Sequence, residues 1–203
     1  MKVLPIKNEE AHPWLLKKHY AKRIPQIMFA FGLYTENELK GVVTFGIPAS
    51  HNLCIGVCGK EHQSKVLELN RLCLMDNLKN QSSFLVSNAI KQLPKPSIIV
   101  SYADTGQGHV GYVYQATNFF FTGTTKERTD MFAGEGKHSR HGSSGCERQV
   151  RTAKHRYIYF HGTKTDKKIL MGSLNYDVFP YPKGDTKKYE SGGEVVTQSL
   201  LFI

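Results

Sequence analysis

A carboxylate at the end of a predicted strand is the first candidate for chemistry in this sequence. Asp104 follows the apolar run 97–102 and opens a glycine-rich turn that reaches His109. A carboxylate in this position is typical of a functional group, although aspartate also stabilises local turns. Tyr112 and Tyr114 follow on a predicted short helix over 110–117. Imidazole and phenol groups that can donate or accept a proton therefore lie close to Asp104.

Two charged residues interrupt the apolar β-run 66–74. Side chains alternate between the faces of a strand, so the pattern places Arg71 with Leu67 and Leu69 on one face and Glu68 on the other. Charges in a central strand are unfavourable unless they are paired or used. Because Glu68 and Arg71 are expected on opposite faces, they cannot simply neutralise each other.

A polar bend over 75–80 precedes a predicted helix with an apolar stripe at i, i+3, i+4 and i+7. The free amides and positive dipole end of a helix N-terminus suit a phosphate or pyrophosphate. The candidates for capping this helix and binding a phosphate-bearing cofactor are Asn80, Ser82 and Ser83. The bend meets the turn at Asp104 if both follow neighbouring parallel strands.

A cluster of histidine and cysteine has the ligand types of a tetrahedral zinc site. His51, Cys54, Cys58 and His62 form the pattern H-x2-C-x3-C-x3-H. The spacing is not that of a common zinc finger, so zinc is not expected. The cysteines lack dense disulfide spacing, which agrees with free thiols in a reducing compartment.

Positive charge is concentrated in one stretch. The 203-residue chain has a net charge of +10, and residues 126–168 hold 11 Lys and Arg against 5 Asp and Glu. A basic surface of this kind favours a nucleic-acid partner, the alternative being an ordinary solvated loop. The residues expected to contact nucleic acid are Lys137, His138, Arg140, His141, Arg148, Arg151 and Lys154.

The elements that position these residues form a mixed α/β pattern. An opening strand, a helix over 13–20, a hairpin of runs 27–34 and 41–45, and a loop over 48–65 precede the central strand. The order strand, bend, helix, strand then predicts a parallel pair, 66–74 with 97–102, joined by a right-handed crossover. Two further strands, 118–123 and 156–160, and a late β-run over 195–203 complete the pattern.

The sequence predicts one α/β (α+β) domain over 1–203, with a mixed, strongly twisted sheet and helices on both faces. A basic insertion is expected at about 124–156 and a loop-rich C-terminal extension at about 162–203. No apolar run is long enough to cross a membrane, and the N-terminus does not fit a signal peptide, so a cytoplasmic protein is expected. The oligomeric state stays open, a dimer being one option.

Several motifs together resemble one family of phage proteins, the Mom family. They are the run Leu67-Glu68-Leu69-Asn70-Arg71-Leu72, the run Ser101-Tyr102-Ala103-Asp104, and the pattern from Gly108-His109-x-Gly111 to Phe119. With His19-Tyr20 upstream and the His138–His141 segment downstream, the resemblance spans about residues 15–160. It implies a fold like that of the GNAT acyltransferases.

The resemblance also implies an activity, namely modification of adenine N6 in phage DNA with a methylcarbamoyl-type group that blocks host restriction enzymes. It gives catalytic or iron-site roles to His19, Tyr20, Arg71, Asp104 and Tyr114. The implied metal candidates are His19, Tyr20, Asp104 and Tyr114. The bend before the helix lacks the R/Q-x-x-G-x-G/A pattern of ordinary GNAT enzymes. The identity of the acyl donor, acetyl-CoA or a related compound, therefore stays open.

Three functions remain to be compared. In the first, the target adenine leaves the duplex, Asp104 accepts an N6 proton or orients the amine, Tyr114 donates a proton to the leaving group, and Arg71 stabilises negative charge on the donor or holds Asp104. The second is a GNAT-type transfer to a protein, tRNA or small amine. The third is a non-catalytic DNA-binding protein.

Overall fold

A seven-stranded sheet organises the computed structural model, which describes residues 1–76, 78–131 and 147–184. The strands are β1 (Lys2–Pro5), β2 (Phe29–Thr35), β3 (Glu38–Gly46), β4 (Val66–Leu74), β5 (Ser97–Asp104), β6 (Phe120–Thr124), β7 (Arg128–Met131), β8 (Arg148–Arg151) and β9 (Lys154–His161). The sheet has the order β1-β2-β3-β4-β5-β9-β6, and β7 pairs with β8 in a separate ribbon. Within the large sheet, β4 and β5 are parallel and the other pairs antiparallel.

Helices cover both faces of this sheet. The α-helices of the described residues are α1 (Asn8–Lys17), α2 (His51–Cys58), α3 (Gln81–Ile90), α4 (Tyr112–Ala116) and α5 (Lys164–Gly172). Helices α3 and α4 pack with Val43, Leu69 and Ile99 in one apolar cluster. Helices α2 and α5 pack with Ile98 and Val100, whose side chains alternate with that of Ile99 and therefore lie on the opposite face. The mixed α/β fold with helices on both faces is confirmed.

The central part of the predicted pattern is confirmed. The hairpin is β2–β3, the central strand is β4, the helix after the bend is α3, and the parallel partner is β5. The last two predicted strands are β6 and β9, and the basic insertion between them contains β7 and β8. The run 195–203 lies outside the described residues.

Two predictions of local structure are wrong. The first helix begins at Asn8 rather than residue 13, because Pro13 lies inside it rather than in its first turn. The expected loop over 48–65 contains α2, whose buried Cys54, Val57 and Cys58 form a short apolar stripe behind an N-cap at Ser50. Helix α5 lies near the start of the expected C-terminal extension and begins with a capping box between Thr163 and Asp166.

None of the helices in the described ranges is long and apolar enough to span a membrane.

A leucine pair tests the packing of this fold. Leu85 on α3 is fully buried in the apolar cluster, whereas Leu16 on α1 is 45% exposed. We expect Leu85→Ala to lower the free energy of unfolding by about 2–5 kcal/mol, because it leaves a cavity in the core. Leu16→Ala should change it by less than about 0.5 kcal/mol. Urea unfolding at pH 7 measures both; equal effects would contradict the placement of α3.

Candidate active site

The two parallel strands at the centre of the sheet separate beyond a short paired segment. Only Val66 to Glu68 of β4 pair with Ile98 to Val100 of β5, although β4 continues to Leu74 and β5 to Asp104. Past Glu68 the strands are joined by a side chain, since the Ser101 hydroxyl donates to the Leu69 carbonyl over 3.0 Å. The parting strands form a wedge that opens towards their carboxyl ends, where ligands bind in open α/β sheets.

A β-bulge in β4 decides which side chains face one another beside this wedge. Thr44 of β3 pairs with Arg71 while Phe45 pairs with Leu69, so Asn70 is the additional residue. The Thr44 hydroxyl donates to Asn70 Oδ1 over 2.6 Å, and Asn70 Nδ2 donates to the Gln26 carbonyl over 3.0 Å. The side chain of the extra residue thus has hydrogen-bond partners on both sides.

The bulge overturns the predicted arrangement of the two charges. Leu69 lies on the face of α3, and the extra residue inverts the alternation, so that Arg71 lies on the opposite face together with Glu68. The expectation that Arg71 shares a face with Leu67 and Leu69 was wrong. A strict period of two does not allow for an inserted residue.

Arg71 is held by backbone carbonyls. Its Nε donates to the Arg23 carbonyl over 3.4 Å and its Nη1 to the Asn70 carbonyl over 2.5 Å. Its buried Nη2 has no hydrogen-bond partner within the described part of the chain. Burial, together with the charge of Arg23, lowers the pKa of Arg71. A buried guanidinium nitrogen without an acceptor is unfavourable, so Nη2 is suited to an anionic or carbonyl oxygen of a ligand.

Asp104 is a buried carboxylate with three donors. Its Oδ1 accepts from the amide of Gly106 over 3.1 Å and from the hydroxyl of Thr152, and its Oδ2 lies 2.9 Å from Lys154 Nζ. Burial alone would raise the pKa of Asp104, but the hydrogen bonds from Thr152 and Lys154 outweigh it and the pKa is lowered. The expected alternative in which Arg71 holds Asp104 is replaced by these contacts. The use of Lys154 at DNA phosphates stays a prediction.

Aromatic rings lie beside these charges. The rings of His19 and Tyr20 stack with centroids 4.4 Å apart, and Tyr20 meets the ring of His109 edge-on at 6.0 Å. His19 Nδ1 accepts from the Ala21 amide over 3.0 Å. Burial, followed by the charge of Arg71, lowers the pKa of His19 to about 3. Burial, followed by the charge of Asp104, raises the pKa of Tyr20 to about 12. Both rings are therefore neutral near pH 7.

Tyr114 approaches from the other face of the sheet. It is buried with Phe119 and Tyr157 in the cluster under α3 and α4. Burial raises its pKa, although a hydrogen bond with Ser101 opposes the shift; the charges of Tyr20 and Glu68 raise it further. The phenol thus belongs to the core but lies near the wedge through Ser101. Its role as a proton donor stays a prediction.

Gly111, which precedes α4, allows this helix to pack closely on Tyr157. It has φ of +80°, and a Cβ there would clash with Tyr157 Cε2.

Glu68 is the site residue that the sequence analysis did not select. Burial raises its pKa, against the opposing charges of Arg71, Lys154 and Arg23. No side-chain hydrogen bond joins it to another residue of the described ranges. It is also the last residue of β4 that pairs with β5. The sequence did indicate a role for Glu68, because it is a carboxylate in an apolar central strand. The expected alternation of side chains placed it on the face opposite Arg71, so the two were not considered together.

The residues expected to hold a phosphate lie at the start of α3. Asn80 precedes the helix with φ of +67°, and the Ser83 hydroxyl donates back to the Asn80 carbonyl over 3.1 Å. The hydroxyl of Ser83 is thus engaged locally, whereas the first-turn amides of Ser82 and Ser83 have no intrahelical acceptor. These amides fit a phosphate group, and they would hold it without a glycine-rich loop.

The possible metal donors do not fit an iron site. Asp104, the carboxylate of the implied set, is already bound by Lys154 and Thr152. Tyr20 and Tyr114 have raised pKa values, which disfavours phenolate ligands. The charges of Arg71 and Lys154 act on His19, where they would repel a cation. We therefore assign no step to iron.

The cysteine and histidine pattern does not fit zinc either. Cys54 and Cys58 lie in an apolar cluster, and their thiols donate to the carbonyls of Ser50 and Leu170. Burial raises the pKa of Cys58 to about 11, which disfavours the thiolate form that zinc binds.

The basic residues of the insertion are only partly described. Lys137, His138, Arg140 and His141 lie outside the described residues. Arg148 is exposed on β8. Arg151 Nε lies 2.5 Å from Asp130 Oδ2, which also lies 3.6 Å from Arg128 Nη2.

A model of the Mom protein family matches residues 1–183. The methylcarbamoylase Mom of Escherichia phage Mu is 30% identical over 187 residues, which cover 82% of this chain and 77% of that protein.

Two solved structures of acetyltransferases are also similar. One, from Bacillus subtilis in complex with CoA, is 17% identical with a TM-score of 0.46 and covers 79% of this chain and 98% of that chain. Another, of the GNAT family from Streptococcus pneumoniae, is 13% identical with a TM-score of 0.42 and covers 77% of this chain and 78% of that chain.

The neutral His19 predicts a pH dependence of stability. In the unfolded chain His19 takes up a proton near its ordinary pKa of 6.5, whereas in the folded protein its pKa is about 3. Protonation therefore favours unfolding as the pH falls from 6.5 towards 3. We expect the free energy of unfolding to fall more steeply in the wild type than in His19→Asn, by up to about 1.4 kcal/mol per pH unit. Urea unfolding between pH 7 and pH 4 measures this; parallel curves would contradict it.

Proposed function

The chain belongs to the Mom protein family, and from this premise we propose that it transfers a methylcarbamoyl-type group to the N6 amine of adenine in DNA. The relative from phage Mu is a methylcarbamoylase, which supports a group transfer of this kind. In an infected host cell, such a modification protects phage DNA from restriction enzymes.

The observation that carries the proposal is the placement of a cationic and an acidic side chain on one face of the sheet. The bulge at Asn70 places the Arg71 guanidinium, with Nη2 lacking an acceptor among the described residues, on the same face as Glu68. A transfer to an amine needs a group that stabilises negative charge on the donor and a group that accepts a proton from the amine. Arg71 and Glu68 are suited to these two tasks.

We assign proton acceptance to Glu68 rather than to Asp104. A carboxylate with a raised pKa and no hydrogen-bonded donor is the better base, whereas Asp104 already accepts from Gly106, Thr152 and Lys154. In the transfer, the N6 lone pair forms a bond to the electrophilic carbon of the donor, the leaving group departs with its bonding electrons, and the N6 proton passes to Glu68. Asp104 then orients the amine.

The donor is proposed to be acyl-CoA-like. The first-turn amides of Ser82 and Ser83 are suited to a phosphate of such a donor. Helix α3 follows β4 directly, so a donor held there reaches the wedge between β4 and β5. Arg71 Nη2 would contact the oxygen that gains negative charge.

DNA is proposed to bind along the basic insertion. The β7–β8 ribbon carries Arg128, Arg148 and Arg151, and the sequence between its strands adds Lys137 and Arg140. Contacts with phosphates fix the position of a protein on the duplex. The target adenine must then leave the base stack before its amine can be reached.

Modification of DNA in a bacterial host tests the proposal. Expression of the wild type should yield a deoxyadenosine of increased mass in digested DNA. Arg71→Ala and Asp104→Ala should abolish this product while remaining folded, because one removes the charge at the donor and the other the group that orients the amine. Nucleoside mass spectrometry measures the product and circular dichroism the fold. Full modification by both variants would refute these assignments.

Replacement of Glu68 tests the assignment of the base. Glu68→Gln keeps the shape of the side chain but cannot accept the proton, so modified deoxyadenosine should accumulate about 100-fold more slowly or worse. Glu36→Gln changes the same groups at an exposed position in the turn between β2 and β3. It should match the wild type. A normal rate in Glu68→Gln would show that another group accepts the proton.

The salt dependence of binding tests the DNA partner. A protein that contacts about six phosphates should lose duplex affinity about 1,000-fold between 50 mM and 200 mM salt. Fluorescence anisotropy with a labelled duplex measures this slope. A flat slope would favour a protein, tRNA or small-amine acceptor, whereas a steep slope without modified nucleosides would favour a non-catalytic DNA-binding protein.

A further inference from the structure

We propose that His19, Tyr20 and His109, the aromatic cluster, form a stacking platform for the purine base that has left the duplex. This inference rests on the proposed function, since it names the subsite that holds the target adenine. It gives His19 and Tyr20 a binding role in place of the metal-ligand role that the resemblance implies, and it adds His109 to the site.

The geometry of the rings supports a platform. His19 and Tyr20 stack at 4.4 Å with an interplanar angle of 28°, and His109 meets Tyr20 edge-on with an angle of 74°. All three side chains are only partly exposed. Offset stacks and edge-to-face contacts are the favourable arrangements of aromatic rings. The cluster is thus preformed, and an added base extends an existing stack.

Each ring of the cluster comes from a segment next to a site residue. His19 and Tyr20 follow α1, and the carbonyl of Arg23, a few residues later, accepts from Arg71 Nε over 3.4 Å. His109 follows the turn that begins at Asp104, and its amide donates to the Asp104 carbonyl over 3.1 Å. A base stacked on the cluster therefore lies beside both Arg71 and Asp104.

Asp104 can also recognise the amine of such a base through a hydrogen bond. A carboxylate has about four lone-pair sites, and three are used by Gly106, Thr152 and Lys154. The remaining site can accept an N–H from the exocyclic amine of adenine. A thymine, which carries a carbonyl oxygen in the related position, offers no such donor. The platform and Asp104 together favour adenine over thymine.

Electrostatics agree with base stacking rather than cation binding. Tyr20 experiences the charges of Asp104, Arg71 and Arg23, and His19 those of Arg71, His109 and Lys154. A neutral base tolerates the positive charges of Arg71, Arg23 and Lys154, which would repel a metal cation. Stacking on aromatic side chains also offsets the free energy that is lost when the base leaves the duplex.

Binding of short single-stranded DNA tests the platform without a donor or turnover. Octadeoxyadenylate and an abasic octamer carry the same phosphates, so the ratio of their dissociation constants isolates the contribution of the bases. We expect the wild type to bind octadeoxyadenylate more tightly by about 5- to 150-fold, which corresponds to about 1–3 kcal/mol for one stacked base. Tyr20→Leu should reduce the ratio to near one, and Tyr20→Phe should restore most of it.

His109 provides a second, independent pair of variants. His109→Leu should lower the ratio and His109→Phe should restore it, while Tyr34→Leu on β2 serves as the aromatic control. Binding of duplex DNA, which depends on phosphates, should change less than twofold in each variant. Urea unfolding midpoints exclude loss of the fold, and the His109 pair decides the question if Tyr20→Leu unfolds.

The outcomes separate this inference from the proposed function. A wild-type ratio near one, or loss of the ratio in Tyr20→Phe, overturns the platform even if cellular DNA is modified; the second result would assign a chemical role to the phenolic oxygen. A ratio that depends on aromatic residues at 20 and 109, in a protein that leaves cellular deoxyadenosine unmodified, supports the platform and overturns the proposed transfer.

Discussion

The short pairing between β4 and β5 is the constraint on which the site depends. Because hydrogen bonding between these strands ends at Glu68 and Val100, the remaining lengths of both strands need other partners. Ser101 supplies one through the Leu69 carbonyl, and the bulge at Asn70 supplies others through Thr44 and Gln26. The same bulge turns Arg71 onto the face of Glu68. The backbone geometry of β4 therefore determines which charged side chains lie on the same face beside the wedge.

The basic insertion is tied to the site at its base. Directly after β8, Thr152 and Lys154 both contact Asp104, and the Ala153 carbonyl accepts from the amide and the hydroxyl of Thr105. Between β6 and β7, Thr125 exchanges hydrogen bonds with Lys154. These contacts join the root of the β7–β8 ribbon to the strand end that carries Asp104. Under the proposed function, these contacts would position a DNA duplex on the ribbon relative to Asp104.

The sequence predicted the elements whose signals are local and regular. Strand β4 and helix α3 follow from apolar periodicity, and the parallel pair follows from the order of elements. Helix α2 was missed because its apolar stripe is short and because the helix contains Gly56. The position of Arg71 was missed for a different reason. The bulge at Asn70 depends on a hydrogen bond from the Thr44 hydroxyl and on another to the Gln26 carbonyl, and both residues are more than twenty positions away.

The candidate residues were easier to select than their roles. Asp104 and Arg71 could be selected because a charge at a strand end or in an apolar strand is unfavourable unless it is paired or has a function. Their partners could not be read from the sequence: Lys154 and Thr152, which lower the pKa of Asp104, lie about fifty residues downstream. Once Asp104 is stabilised as an anion by these donors, it is a weak base and a good hydrogen-bond acceptor. Glu68, which lacks such donors among the described residues, has the opposite properties. Two carboxylates on one face can thus divide recognition and proton transfer between them, because their surroundings move their pKa values apart.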